Sequence, residues 1–139
     1  MKFDILDKSG KVKFTADVDC ADDCNTSAKI GLAVKYAIKH KIDLSYADLH
    51  GANLSHANLS YADMSHANLS GANLSNANLN YASLSGANLR DADMSGANLS
   101  HTNLSYANLS DAKLSDANMH HTNFAWCRLT RCSLACGTN

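Results

Sequence analysis

The sequence predicts an all-β solenoid with a small N-terminal cap, and three observations predict it. Between Ile42 and Leu134 every fifth residue is Leu, Met or Phe: Leu44, Leu49, Leu54, Leu59, Met64 and onward to Phe124, Leu129 and Leu134. Two residues before each stands Ala, the exceptions being Ile42, Thr102, Thr122, Cys127 and Cys132. Nineteen such pentads follow one another without insertion. A period of five matches neither the helix at 3.6 nor the strand at 2.0, and a fixed internal period marks a repeat architecture.

Let the large residue of each pentad be i. The apolar positions are then i and i−2, and the other three are polar or Gly: Asn or Asp at i−1, Ser at i+1, a variable residue at i+2. One apolar pair per five residues suits a chain that bends once per pentad and turns i and i−2 inward. Ala at i−2 leaves a narrow interior, filled by one large side chain per side. Stacked coils would exchange backbone hydrogen bonds across roughly 4.8 Å, the ordinary strand spacing. Runs such as GANLSHANLSYADMSHANLSGANLS carry the motif A-(D/N)-L-X-X. They resemble the pentapeptide-repeat family over residues 42–134, about two thirds of the chain. The resemblance implies a right-handed quadrilateral β-helix, a solenoid whose coils contact only their neighbours. Four sides make a coil of twenty residues. Nineteen pentads then give about 4.75 coils, a rod of roughly 23 Å.

Ahead of the repeats, residues 1–20 alternate apolar and polar. Phe3 and Ile5 share one side of a first run, and Val12, Phe14, Ala16 and Val18 share one side of a second. Asp7, Lys8, Ser9 and Gly10 are turn chemistry, so a β-hairpin is expected over 2–18. A polar link follows, in which Asn25, Thr26 or Ser27 can cap a helix. Over 27–40, Ile30, Ala33, Val34, Ala37 and Ile38 fall on one helical face. Lys35, Lys39, His40 and Lys41 lie toward its C-terminal end, where positive charge suits the dipole, while Gly31 lowers the helix propensity. A repeat stack needs its hydrophobic end covered. Residues 1–41 are therefore expected to form an N-terminal cap and 42–139 the repeat helix with its end coil. The competing reading makes the N-terminal element a binding module in its own right. FTADVDC and KIGLAVKYAIKHKIDLSYADL are also similar to leaders of pentapeptide-repeat proteins carried by phages and prophages, which implies a mobile-element origin.

Composition narrows the function classes. Net charge is −1, with thirteen Asp, no Glu and no Pro, and Pro is poorly tolerated within a strand stack. No apolar run reaches membrane-spanning length, and no basic n-region precedes an apolar stretch. A soluble cytoplasmic protein is expected. Five cysteines, an odd number without a disulfide framework, suit a reducing compartment.

With the interior spent on packing, function must lie outside. At a period of twenty the i+2 residues sort into four columns. The first is Tyr46, His66, Gly86, Tyr106 and Trp126. The second is Gly51, Gly71, Asp91, Asp111 and Arg131. The third is His56, Asn76, Gly96, Asp116 and Cys136. The fourth is Tyr61, Tyr81, His101 and His121. The first and fourth are adjacent and rich in Tyr, His and Trp, which are common in interface centres for Tyr and Trp. Tyr46, Tyr61, His66, Tyr81, His101, Tyr106, His121 and Trp126 are thus the expected partner-binding surface. The blander reading is that the rings stack up the solenoid and stabilise it as cross-strand pairs do. The Asn column at i−1 (Asn58, Asn78, Asn98, Asn118) reads as a structural amide ladder.

Chemistry is not expected. No Ser or His is singled out as a nucleophile or base, and a filled convex rod offers no concave site. No catalytic, cofactor or metal residues are assigned. His101, His120 and His121 fall short of the four ligands of a closed zinc site. Cys20 and Cys24 form a CxxxC pair without a second pair, and Cys127 and Cys132 fall at the inward i−2 position. Direct nucleic-acid binding would require a basic stripe, yet the repeats carry Arg90, Lys113, Arg128 and Arg131 against seven Asp, a balance of −3.

The resemblance implies a protein-binding function. The best-understood family members resemble B-DNA, occupy the DNA site of gyrase, and in some cases protect it from quinolones. DNA carries about one charge per 1.7 Å of axis, so a 23 Å mimic would need roughly thirteen, against three here. The leading expectation is a non-enzymatic protein-binding module, such as a phage-encoded inhibitor of a host enzyme. The alternatives are a DNA mimic that binds gyrase or topoisomerase IV, and a purely structural or assembly element. An open end of a strand stack invites pairing, and the resemblance implies two-fold dimers at the C-terminal end. A homodimer is expected through about 124–139, with Phe124, Trp126, Arg128, Arg131 and Leu134 at the interface. Its alternative is a monomer in which 135–139 fold over the end.

Overall fold

The computed structural model describes residues 1–21 and 23–134. Strand β1 (Lys2–Leu6) pairs antiparallel with β2 (Val12–Asp17), and helix α1 covers Thr26–Lys39. Asp7 organises the hairpin turn: its Oδ1 accepts from the Ser9 amide and hydroxyl and from the Lys11 amide. The expected inner side holds for Ile5, Ala16 and Val18, which are buried, and for the half-buried Phe3 and Phe14. Val12 departs from it and is exposed. A register shift between Ile5 and Leu6 pairs Leu6 with Val12 and takes that side chain off the inner face.

Asn25 caps α1, its side chain accepting from the Ala28 amide at 2.9 Å. Ala33, Val34 and Ala37 bury the helix in the same core cluster as Leu44 to Leu59. Gly31, which propensity alone disfavours, is required here. A Cβ at that position would run into the Asn53 carbonyl oxygen. The contact is fixed by the Asn53 amide donating to Ser27 O at 3.2 Å and the Ser27 hydroxyl donating to Gly51 O at 2.5 Å. The hairpin joins the repeats as well. Asp7 bridges Ala47 antiparallel, the Asp48 amide donates to Leu6 O, and the Lys8 amide donates to Tyr46 O.

From Asp48 onward the chain pairs with itself twenty residues later. Parallel bridges run from Asp48–Asn68 to Lys113–Ser133, always through the i−1 residue. Each pentad ends in a turn closed by the i+3 amide on the i carbonyl, as from Ala52 to Leu49. Every i+2 residue from Lys41 to Arg131 has positive φ, between 53° and 66°. Four such bends per twenty-residue step make a four-sided coil. Asn or Asp at i−1 supports the bend by accepting from the Ser amide and hydroxyl at i+1, as Asn53 does from Ser55. Its amide also reaches the previous coil: Asn118 to Asn98, Asn98 to Asn78 and Asn78 to Asn58, at 3.3–3.4 Å. The Asn column is thus the ladder its pattern suggests.

The large i residues from Leu44 to Leu114 are fully buried, and the Ala residues beside them are buried. Burying a Leu side chain fully is worth roughly 1.5–3 kcal/mol, so this column is the main apolar stabiliser. Thr102 and Thr122 stand in place of Ala and donate to Leu79 O and Leu99 O at 2.7 Å, which satisfies their hydroxyls. At the C-terminal end the pattern continues but burial fails. Leu129 is 42% and Leu134 55% exposed. Cys20 and Cys24 are joined as a disulfide, contrary to the expectation that the cysteines stay reduced. Their Cα atoms lie 6.1 Å apart, an ordinary separation for such a bond.

Candidate protein-interaction surface

The positive φ at i+2 sets each variable side chain on a corner of the coil, pointing out. Side chains one coil apart then meet. In the fourth column Tyr61 stacks on Tyr81 at 5.2 Å, Tyr81 on His101 at 4.5 Å and His101 on His121 at 4.9 Å, with interplanar angles of 7°, 7° and 22°. His120 adds an edge contact to His121. In the first column Tyr46 stacks on His66 at 4.8 Å, and Lys8 from the hairpin turn lies 5.9 Å from the Tyr46 ring centre. Gly86 then interrupts the column, and Tyr106 and Trp126 stand exposed beyond it. All eight residues expected for the surface lie outside on two adjacent corners. The structure joins six of them into two stacks and leaves Tyr106 and Trp126 outside both.

Between these corners runs a flat strip of Asp63, Ser83, Asn103 and Asn123 at i−1. At its N-terminal head a half-open cleft of about 490 Å³ lies between α1 and the first coil. Ile38, Ile42, Leu44 and Ala62 form its apolar lining, with Tyr61, Lys41 and Asp63 at its rim. This cleft is invisible in the repeat pattern, because the helix creates it. Lys41 signals it only in retrospect: it is the first residue of the Tyr61 column.

The second corner is electrostatic. Arg131 makes a bidentate pair with Asp111 at 2.6 and 2.9 Å, and Arg90 lies 3.3 Å from Asp91. Hydrogen bonds from Arg131 hold the Asp111 carboxyl below its ordinary pKa, and the same pair raises that of Arg131. Asp93 is lowered by the Ser95 hydroxyl and amide, with Lys113 adding to it at 3.9 Å. Asp43 is paired with Lys13 of the hairpin at 3.4 Å as well, so four of the seven repeat acids are matched by neighbouring cations, which weakens the negative field a DNA mimic requires.

At the C-terminal end Phe124, Cys127 and Cys132 are half-buried, while Trp126, Arg128 and Leu134 are exposed. Burial raises the Cys127 and Cys132 thiols above their ordinary pKa, and Cys127 donates to Leu104 O. Residues 135–139, including Cys136 of the third column, lie outside the described residues. Among the described residues no cluster of three or more His, Cys or Asp is placed to hold a metal ion. No helix among them is long and apolar enough to cross a membrane.

A four-sided coil of pentads, bridged in parallel every twenty residues, defines a β-solenoid repeat protein. The chain belongs to the pentapeptide-repeat family: the family model for pentapeptide repeats matches eight copies, over residues 40–76, 57–96, 67–105 and 92–131. The architecture is accordingly the right-handed quadrilateral β-helix. Among solved structures the chain is similar to HetL from the cyanobacterium Nostoc sp. strain PCC 7120, a pentapeptide repeat protein involved in heterocyst differentiation regulation. Identity is 44%, with a TM-score of 0.58, over 58% of this chain and 38% of HetL. It is also similar to alr5209, a pentapeptide repeat protein from Nostoc PCC 7120, at 35% identity and a TM-score of 0.57, over 66% of this chain and 73% of that one. The match thus spans well under half of HetL. No curated protein matches the chain.

Proposed function

We propose that the protein is a non-enzymatic binding module that presents the first and fourth corners, as one rigid surface, to a protein partner. The observation that carries this is the unbroken stack of Tyr61, Tyr81, His101 and His121 beside Tyr46 and His66. Stacked rings are held in place before any partner arrives, so little side-chain freedom is lost on binding. Large planar side chains are also the usual interface anchors. Residues 1–41 act as the N-terminal cap of a repeat rod of about 4.75 coils. The similarity of the leader to phage-borne members supports a host enzyme as the partner and inhibition as the outcome. Exposed Leu134, Trp126 and Arg128, with Phe124 and Arg131, supply the surface for a homodimer through the C-terminal coil.

The test is capture from a bacterial lysate on the tagged protein, with mass-spectrometric identification. A stoichiometric protein retained by the native chain and lost from Tyr61→Ala/Tyr81→Ala is the expected result. Capture that survives that double variant excludes the surface. Retained gyrase or topoisomerase IV subunits would favour the DNA-mimic reading instead.

A further inference from the structure

We propose that the cleft between α1 and the first coil takes an acidic, apolar segment of the protein partner. This deepens the reading above and rests on it. The cleft of about 490 Å³ falls within the roughly 300–1,000 Å³ of sites that take a ligand. Its apolar lining is Ile38 from the helix, Ile42 just after it, and Leu44 and Ala62 from the coil. Ile38 and Ile42 are only half-buried, so an apolar side chain entering the cleft removes further apolar surface from water. Tyr61 stands on the rim and heads the stack of the fourth corner. A segment lying along that corner therefore reaches the cleft without a break.

Charge selects the occupant. From Thr26 to Ile42 the chain carries Lys29, Lys35, Lys39 and Lys41 and no acid. Lys35, Lys39 and Lys41 are exposed and, among the described residues, make no ion pair, whereas Lys2, Lys13 and Lys113 each do. Lys35 stands three residues before Ile38 and four before Lys39, spacings that make neighbours on a helix. Lys41 lines the cleft itself. The helix rim is thus positive. On the coil rim Asp63 Oδ1 accepts from the Ser65 amide and hydroxyl, and Asp43 is held by Lys13. Carboxylates of a bound segment are drawn to the helix rim and turned away from the coil rim. Positive charge in the last turn also suits the helix dipole, but Lys35 lies before that turn. A protein segment fits better than a phosphate chain, because the repeat balance of −3 repels a polyanion beyond the helix.

The test is selection of a random peptide library on the full chain, followed by methyl NMR mapping of an enriched peptide. Enriched sequences that set a large apolar residue beside Asp or Glu are expected, with saturable shifts of the Ile38 and Ile42 methyl groups. Lys35→Glu/Lys39→Glu/Lys41→Glu reverses three exposed charges and should weaken that peptide by roughly tenfold or more, because like charges then face each other. No enrichment, enrichment without acidic residues, shifts centred away from Ile38 and Ile42, or full binding to the triple variant would overturn the proposal. So would tighter binding of a DNA duplex, or of vesicles containing phosphatidylserine, than of the peptide. Tyr81→Ala/His101→Ala lies outside the cleft and leaves the peptide titration unchanged. Lysate capture lost from that variant but kept by the triple lysine variant would uphold the wider surface and reject the cleft, so the two failures are distinguishable.

Discussion

The two ends of the rod are written in the same pentads and reach different states. At the N-terminal end Leu44, Leu49, Leu54 and Leu59 are fully buried, because α1 and the hairpin lie against the first coil. At the C-terminal end Met119 and Phe124 are half-buried and Leu129 and Leu134 exposed. An inward side chain in a solenoid takes its contacts from the coils before and after it. Position i marks a core residue only where both neighbours exist, so the repeat alone does not guarantee burial.

The largest effect should come from the middle of the stack. Leu84→Ala is expected to cost about 2–5 kcal/mol in urea unfolding, whereas exposed Leu134→Ala should fall within about 0.5 kcal/mol. A Leu134→Ala loss that grows as protein concentration rises would instead show that a second copy buries that end. Next comes the cap. Gly31→Ala forces a methyl group onto the Asn53 carbonyl and should cost about 1–3 kcal/mol, read as a lower melting temperature. If Gly31→Ala were neutral, the helix would not be seated on the coil as described. Smaller again is Thr102→Val, which keeps the volume and loses the bond to Leu79 O, for about 1 kcal/mol.

The smallest effect is in pH. Asp43, Asp93 and Asp111 have folded pKa values below their ordinary ones. Depressed carboxyl pKa values add stability that is complete above the unfolded value and lost as pH falls through the folded one. Stability should be flat between roughly pH 7 and 5 and decline only below about pH 4, most visibly on the corner that carries Asp93 and Asp111. A decline centred near neutrality would place control with histidines instead.

Much of this was legible in the pentads. The Leu and Ala positions follow from a period of five, whereas the four corners, the Asn ladder and the facing of Tyr61, Tyr81, His101 and His121 follow from the four-sided coil that the resemblance to the pentapeptide-repeat family implies. The left-handed backbone at i+2 was not legible, because Tyr, His and Trp give no sign of a conformation that glycine usually takes. Gly31 was misleading alone, since its reason is an oxygen atom on Asn53, twenty-two residues away. The Cys20–Cys24 bond and the cleft beside Tyr61 depend on how the cap folds back, which no repeat encodes.

The central claim is that the Tyr- and His-lined corners, and not the opposite ones, bind the partner. It is tested most directly by the affinity of a captured partner for three chains: native, Tyr61→Ala/Tyr81→Ala, and His56→Ala/Asn76→Ala on the third corner. A loss of roughly a hundredfold is expected for the first variant, about two anchor side chains' worth, and native affinity for the second. Equal affinity of all three, or loss only in the third-corner variant, would contradict it.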